Sequence, residues 1–148
     1  MFARFYRVRC SYRVVLILGL IVCCGGCGGN PDLATVSGVI TLDGSPLADA
    51  FVTFTPESNG TTSFGKTSSD GTYVMLFSDS QKGAFIGSNR VSISTGDISA
   101  DSSGGIKELV PQTYNDESNL VADVKSGSNT FDWELKSDAG EVVQPEVE

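Results

Sequence analysis

Residues 36 to 57 read VSGVITLDGSPLADAFVTFTPE, and apolar and polar side chains alternate in two runs within this stretch. Every second residue from Val36 to Leu42 shares one face of the first run, and Val52 and Phe54 share one face of the second. A period of two is typical of half-buried β-strands. The Asp43-Gly44 pair between the runs readily takes the positive φ angles of a tight turn. The stretch therefore predicts two strands separated by a turn.

The same alternation continues along the chain. It is clearest in NTFDWELK, where Phe131, Trp133 and Leu135 share a face opposite charged residues. The pattern predicts strands near 35–42, 50–56, 62–67, 72–78, 88–95, 119–125 and 129–136, and it leaves open a further short strand near 106–110. No segment after residue 33 shows a sustained helical period. Short strands separated by Gly-containing turns predict an all-β protein, with a β-sandwich favoured over a parallel α/β sheet.

The order of short motifs from residue 34 to residue 137 resembles that of carboxypeptidase-regulatory-like domains, also called transthyretin-like domains. The residues that carry the resemblance are Gly38, Val39, Asp43, Gly44, Pro46, Leu47, Ala50, Val52 and Phe54, then Asp70, Gly71, Tyr73 and Met75, with LVPQTYND and LVADVKSGSNTFDWELK further on. The later strings are similar to a version found in short bacterial exported lipoproteins. The resemblance implies a seven-stranded Greek-key β-sandwich of the prealbumin-like or Ig-like kind. It implies no catalytic residues and an accessory or stalk role.

The amino terminus has the pattern of an export signal. Residues 1–13 carry four arginines and no acid, and residues 14–24 are an uncharged apolar run. A basic segment followed by about 7–15 apolar residues is typical of a secretory signal peptide. The apolar run is shorter than the ~20 residues of a comfortable membrane span. An uncleaved anchor helix is the alternative interpretation.

All four cysteines lie in this amino-terminal region, and residues 28–148 contain none. Glycines flank Cys27 on both sides, which resembles the lipobox of bacterial lipoproteins. That resemblance implies cleavage before Cys27 and attachment of a diacylglycerol thioether to it, with palmitate-type chains; Cys24 is the alternative. The predicted organisation is therefore a signal peptide at 1–26, a lipidated cysteine and tether at 27–33, and a domain at 34–137.

After cleavage the chain is strongly acidic. Six basic residues remain against all 18 acids, which gives a formal charge near −12. Nucleic acid is excluded as a partner because its binding needs a basic face. Attachment to a membrane is expected through the lipid, since the charge opposes adhesion to anionic headgroups. Residues 138–148 are acidic, lack a core-facing pattern and are expected to be disordered.

Residues 60–67, GTTSFGKT, match the phosphate-binding pattern G-x-x-x-x-G-K-[ST]. That pattern binds phosphate when a buried strand precedes it and a helix follows it. Here a loop precedes it and a turn with a strand follows, so no nucleotide is expected. The alternative is an edge strand with Phe64 facing inward and Lys66 in solvent.

Other chemistry is poorly represented. The chain has no histidine, so histidine-based triads are excluded. The acids Asp97, Asp101, Asp116 and Glu117 supply oxygen ligands for calcium but lack a regular spacing. Tyr73 and Trp133 are expected in the core, and Tyr114 over the open end of the sandwich with its hydroxyl bonded to backbone. No catalytic, cofactor or metal residue is assigned; Cys27 is the one assigned site.

The sequence therefore favours a lipid-anchored, non-enzymatic β-sandwich of the cell envelope. It is expected at the cell membrane or outer membrane, facing the periplasm or the exterior, where it binds or supports an envelope protein or polysaccharide. A carbohydrate- or calcium-dependent adhesion module that uses residues 96–118 is the second hypothesis. A hydrolase is the third.

Overall fold

The structure is a computed structural model that describes residues 32–58, 60–79, 81–96 and 107–144. Within these ranges the chain is all-β, with one short 3₁₀ turn at Gln112–Tyr114. The strands are β1 (Leu33–Leu42), β2 (Ser45–Pro46), β3 (Phe51–Pro56), β4 (Ser63–Lys66), β5 (Thr72–Val74), β6 (Leu76–Ser78), β7 (Gln81–Lys82), β8 (Ala84–Phe85), β9 (Gly87–Ser94), β10 (Leu120–Val124), β11 (Ser128–Thr130) and β12 (Trp133–Leu135). None of the helical structure in the described ranges is long and apolar enough to cross a membrane.

Strand β1 is the centre of the first sheet. Along one edge it pairs in parallel with β11 and then with β12. Along the other edge it pairs antiparallel with β8, β5 and β2 in turn. This sheet is therefore mixed, and the long strand β1 holds five short strands in place.

The second sheet is antiparallel throughout, in the order β10-β9-β3-β4-β6-β7. Its longest pairing joins β3 to β9, with Phe54 opposite Val91 and Val52 opposite Ile93. These four side chains are completely buried and project from one face of the sheet, as the alternating pattern predicts. They form one side of the core.

The first sheet supplies the other side of the core. Val36 and Ile40 of β1, Tyr73 of β5 and Leu135 of β12 are buried in one cluster with the second sheet's inward residues. Two sheets that bury their inner faces against each other are consistent with a β-sandwich, as predicted.

The predicted turn at Asp43-Gly44 is confirmed. Asp43 has φ 51° and Gly44 has φ 83°, while Leu42 and Ser45 pair across the turn. Two central residues with positive φ define the type I′ hairpin, whose twist suits antiparallel strands. Hydrogen bonding from the Ser137 side chain, and from the Ser137 backbone N–H at 3.2 Å, lowers the pKa of the exposed Asp43 carboxyl.

Each of the seven predicted positions contains strand residues, but the seven-strand count differs from the twelve strands found in the described ranges. Residues 72–78 divide at Met75, because β5 pairs with β1 in the first sheet and β6 pairs with β4 in the second. Residues 129–136 divide at 131–132, where the Asp132 carboxylate replaces a backbone acceptor and bonds the Val39 N–H at 2.8 Å. The two-residue strands β2, β7 and β8 were not predicted.

The strand left open near 106–110 does not form in its described part, residues 107–110. The N–H groups of Leu109 and Val110 bond to the carboxylate of Glu108, at 2.9 and 2.8 Å, instead of to a neighbouring strand. Backbone donors that are satisfied by a side chain are not available for a sheet ladder.

Residues 138–144, which belong to the segment expected to be disordered, make hydrogen bonds to residues near Glu108. The Gln144 side chain donates to the Glu108 carbonyl and accepts from the Glu108 N–H, both at 3.0 Å. The Gln112 N–H donates to the Glu141 carbonyl at 2.8 Å. Hydrogen bonds therefore join Glu141 and Gln144 to residues of the segment 107–113. Residues 145–148 lie outside the described ranges, as do the predicted signal peptide and Cys27.

Candidate functional site

The phosphate-binding pattern at 60–67 falls on β4 and its flanks, and no helix follows it. Thr67 is buried, and its hydroxyl accepts from the Ala50 N–H at 2.8 Å. The next residues form a turn in which Asp70 accepts from the Thr72 N–H and from the hydroxyls of Ser68 and Thr72. The pattern thus builds a strand and a turn here, not a phosphate cradle.

The expected orientation of β4 is wrong in two respects. The strand lies between β3 and β6 and is not an edge. Phe64 faces outward and is 54% exposed, because the inward positions belong to Ser63 and Gly65. Lys66 is half exposed and forms an ion pair with Asp49 at 2.9 Å.

The acids considered for calcium do not form a metal cluster in the described ranges, where no group of three potential ligands occurs. Asp116 and Glu117 are exposed in the turn after the 3₁₀ turn. Asp97 and Asp101 lie outside the described residues. The structure therefore adds nothing to the calcium hypothesis.

Tyr73 and Trp133 lie in and against the core, as predicted. The Tyr73 hydroxyl donates to the Phe131 carbonyl at 2.8 Å and accepts from Trp133 Nε1 at 3.1 Å. The Phe131 and Trp133 rings stack with centroids 6.2 Å apart. Burial raises the pKa of the Tyr73 hydroxyl above its usual range.

Tyr73→Phe is expected to lower the free energy of unfolding by about 1–3 kcal/mol, because two part-buried groups lose their partner. Urea denaturation followed by Trp133 fluorescence measures this directly, since the chain has one tryptophan. Tyr114→Phe is the matched control. Within the described residues its hydroxyl accepts the Lys136 N–H alone, at 3.3 Å and in an exposed setting, so a smaller loss is expected. Equal losses in the two variants contradict the proposed role of Tyr73.

Tyr114 has the predicted role in part: it packs against the core cluster, and its hydroxyl bonds to backbone. Sequence reasoning missed a buried carboxylate, that of Glu108. Glu108 is 3% exposed and accepts from six donors among the described residues. They are Ser94 Oγ (2.5 Å), Thr95 N (3.0 Å), Thr95 Oγ1 (2.8 Å), Gly96 N (3.2 Å), Leu109 N (2.9 Å) and Val110 N (2.8 Å).

These hydrogen bonds control the ionisation of Glu108. Burial alone raises the pKa of the carboxyl, but the bonds from Ser94, Thr95 and Val110 outweigh burial and lower the pKa to about 2. The anion is therefore the stable form and joins the end of β9 to residues 108–110. Because its acceptor capacity is filled from within the chain, Glu108 is a structural residue and not a free acid for catalysis.

The outer face of the second sheet carries exposed apolar and basic side chains. Paired residues form one row across five strands: Ser92 (β9), Thr53 (β3), Phe64 (β4), Leu76 (β6) and Lys82 (β7). Phe51 and Lys66 are paired in the adjacent row, with Lys66 Nζ 5.3 Å from the centre of the Phe51 ring. The strands of this sheet carry three cations, the third being Arg90, and one acid, Asp123 of β10.

A shallow cleft of about 350 Å³ opens where this row reaches the sandwich edge. Lys66 and Lys82 border it, Tyr73, Val74 and Leu76 provide its apolar lining, and Ser68 and Thr72 complete it. A cleft with two cations and an apolar floor suits an anionic ligand that also has apolar surface.

No family model, curated protein or solved structure matches the chain. The resemblance to carboxypeptidase-regulatory-like domains therefore stays a prediction, and the site is argued from its own residues. Of the residues that make up the outer face, sequence reasoning singled out Phe64 and Lys66 but assigned the wrong side to Phe64. Lys82 was missed because its own strand, β7, and the neighbouring strand β6 are too short to show an alternation of apolar and polar residues.

Proposed function

We propose that the chain is an exported lipoprotein whose β-sandwich acts as a non-enzymatic binding or supporting module of the cell envelope. In this proposal residues 1–26 are the signal peptide, and Cys27 carries the lipid. The observation that supports it is the position of the first strand. β1 begins at Leu33, so only residues 28–32 separate the predicted anchor from the folded domain.

In this proposal the short spacing limits the distance between the domain and the membrane. Five extended residues span less than about 20 Å, so the sandwich would stand close to the membrane. The anchor end of the domain contains Asp32, whose carbonyl accepts the Ile86 N–H at 2.9 Å. β1 then runs ten residues, or about 33 Å, away from it towards Asp43. Both sheet faces would be accessible to other envelope components.

We also propose that the fold is the seven-stranded Greek-key sandwich of prealbumin-like domains, to which the two-residue strands β2, β7 and β8 are added. The seven predicted positions support this, if β5 with β6 and β11 with β12 are each taken as one interrupted strand. β11 and β12 both run parallel to β1, so the chain keeps its direction across the interruption at Asp132. At Met75 the pairing passes from β1 to β4.

The lipid anchor makes a direct prediction. Cys27→Ala is expected to abolish incorporation of labelled palmitate into the full chain, because the proposed thioether needs the Cys27 sulfur. Cys24→Ala is the matched control and is expected to retain the label. Labelling lost in Cys24→Ala and kept in Cys27→Ala would transfer the anchor to Cys24. An unmodified Met1 terminus in a cytosolic fraction would overturn the proposal.

A further inference from the structure

We propose that the outer face of the second sheet binds a linear polysaccharide that carries carboxylate groups. The proposal rests on the proposed function only for the location of the protein, and it identifies the partner class. The surface consists of the row from Ser92 to Lys82, the adjacent Phe51–Lys66 pair, and Arg90 in the row beyond Thr53.

The charge on this face differs from that of the whole chain. After the predicted cleavage the chain has six basic residues and 18 acids, yet three of those six, Lys66, Lys82 and Arg90, lie on strands of this one sheet. Asp49 pairs with Lys66, whereas Lys82 and Arg90 form no ion pair with a described residue. A polyanion would be repelled by the rest of the domain and would find its favourable contact here.

The apolar residues of the face support a ligand with more than charge. Eight large apolar side chains are exposed in the described ranges, and the two aromatic ones, Phe51 and Phe64, both lie here. Leu76 is 41% exposed beside Phe64, and Val74 lies in the adjoining cleft. Clustered exposed apolar side chains mark binding surfaces. Together with the hydroxyls of Thr53 and Ser92 they would contact the apolar and hydroxyl-bearing faces of sugar rings.

The shape of the surface favours a polysaccharide over an acidic peptide. Extended peptides bind β-proteins by adding a strand to a sheet edge, where backbone groups are free. Here four of the five strands in the row lie between two neighbouring strands, namely β9, β3, β4 and β6, and β7 ends the row. Recognition across these four strands therefore depends on side chains. The five strands of the row extend over about 19 Å, which is long enough for several sugar units in line.

The test measures binding of the detergent-solubilised full chain to polygalacturonate, with neutral dextran and poly-glutamate as comparisons. Binding to polygalacturonate and not to dextran is expected. Lys82→Glu and Phe64→Ala are each expected to weaken it by about tenfold or more, the effect of losing one charge-assisted contact or one ring contact. Lys136→Glu is the matched control, because it makes the same charge change outside the second sheet.

Each outcome decides the proposal. Equal weakening by Lys82→Glu and Lys136→Glu would show general electrostatic attraction and overturn it. Equal or tighter binding of poly-glutamate, with the same dependence on Lys82 and Phe64, would assign the face to an acidic protein segment instead. Binding of neither polymer would overturn it as well. Palmitate labelling of the same variants is expected to be unchanged, so failure here is distinguishable from failure of the lipoprotein proposal.

Discussion

Glu108→Gln is expected to lower the free energy of unfolding by about 2–4 kcal/mol at pH 7, although the two side chains have the same shape. A glutamine offers one acceptor oxygen and places an NH₂ group where the carboxylate had its second oxygen. The Gly96 N–H, which donates to Oε2 at 3.2 Å, then faces a donor. The loss follows from leaving a partly buried donor unpaired and from removing an anion that six donors stabilise.

The wild-type pH dependence follows from the same residue. The pKa of Glu108 is about 2 in the folded protein and 4.5 in the unfolded chain. A group whose folded pKa is lowered stabilises the protein above its unfolded pKa, and this contribution is lost as the pH falls from 4.5 to about 2. The shift corresponds to about 3 kcal/mol at neutral pH. The difference in stability between wild type and Glu108→Gln is therefore expected to shrink between pH 5 and pH 2.5.

Urea denaturation at several pH values, followed by Trp133 fluorescence, measures both effects. Glu134→Gln is the control, because Glu134 is exposed on β12 and a loss within about 0.5 kcal/mol is expected. A wild-type minus Glu108→Gln difference that stays constant from pH 7 to pH 2.5 would contradict the role given to the carboxylate. It would point to packing and not to the charge.

Glu108 also shows where sequence reasoning ends. Its donors Ser94 and Thr95 lie 14 and 13 residues away in the chain, and nothing in the string KELVP indicates that a glutamate points inward. The hydrophobic period detects strands because neighbouring residues carry the signal. A polar cluster assembled from two separate segments has no such local signal, and the hydrogen bonds between Gln144 and Glu108 have none either.

The positions of the strands were predictable from the sequence. Which residues of each strand face the core was harder to predict. For β1 and β3 several apolar residues alternate, and the inward face follows from the sequence. β4 has a single large apolar residue, Phe64, and its phase is set by the opposite side of the core. A Cβ on Gly65 would lie 3.0 Å from Met75 Sδ, so the inner surface has room only for small residues there. Phe64 is therefore placed outside, on the face proposed to bind a ligand.

Gly38→Ala is expected to have the largest effect of any single methyl group added to the described core. An alanine Cβ at this position would lie 1.8 Å from the Phe131 carbonyl oxygen and 2.6 Å from its carbon. The obstacle is backbone, so no rotamer change relieves it. Phe131 is itself fixed, since its N–H donates to the Ser37 carbonyl at 3.0 Å and its carbonyl accepts the Tyr73 hydroxyl.

The added methyl group must therefore separate β1 from the segment between β11 and β12, which breaks the parallel edge of the first sheet. We expect a loss of at least about 3 kcal/mol, at the upper end of the cost of overpacking a core. Trp133 emission should shift to longer wavelength in the same variant, because the tryptophan stacks on Phe131 and bonds to Tyr73. A second variant distinguishes this clash from the general cost of replacing glycine.

Gly44→Ala is that comparison. Gly44 has φ 83° and nothing lies within 4 Å of an added Cβ, so the expected cost is the ~1–2 kcal/mol of left-handed backbone alone, with Trp133 emission unchanged. Gly38 is the reverse case, a steric cost at a position where no positive φ is involved. If Gly38→Ala were no more destabilising than Gly44→Ala, the close approach of Phe131 to β1 would be wrong. The arrangement of the first sheet around β1 would then be wrong with it, because the β1–β12 pairing begins next to this contact.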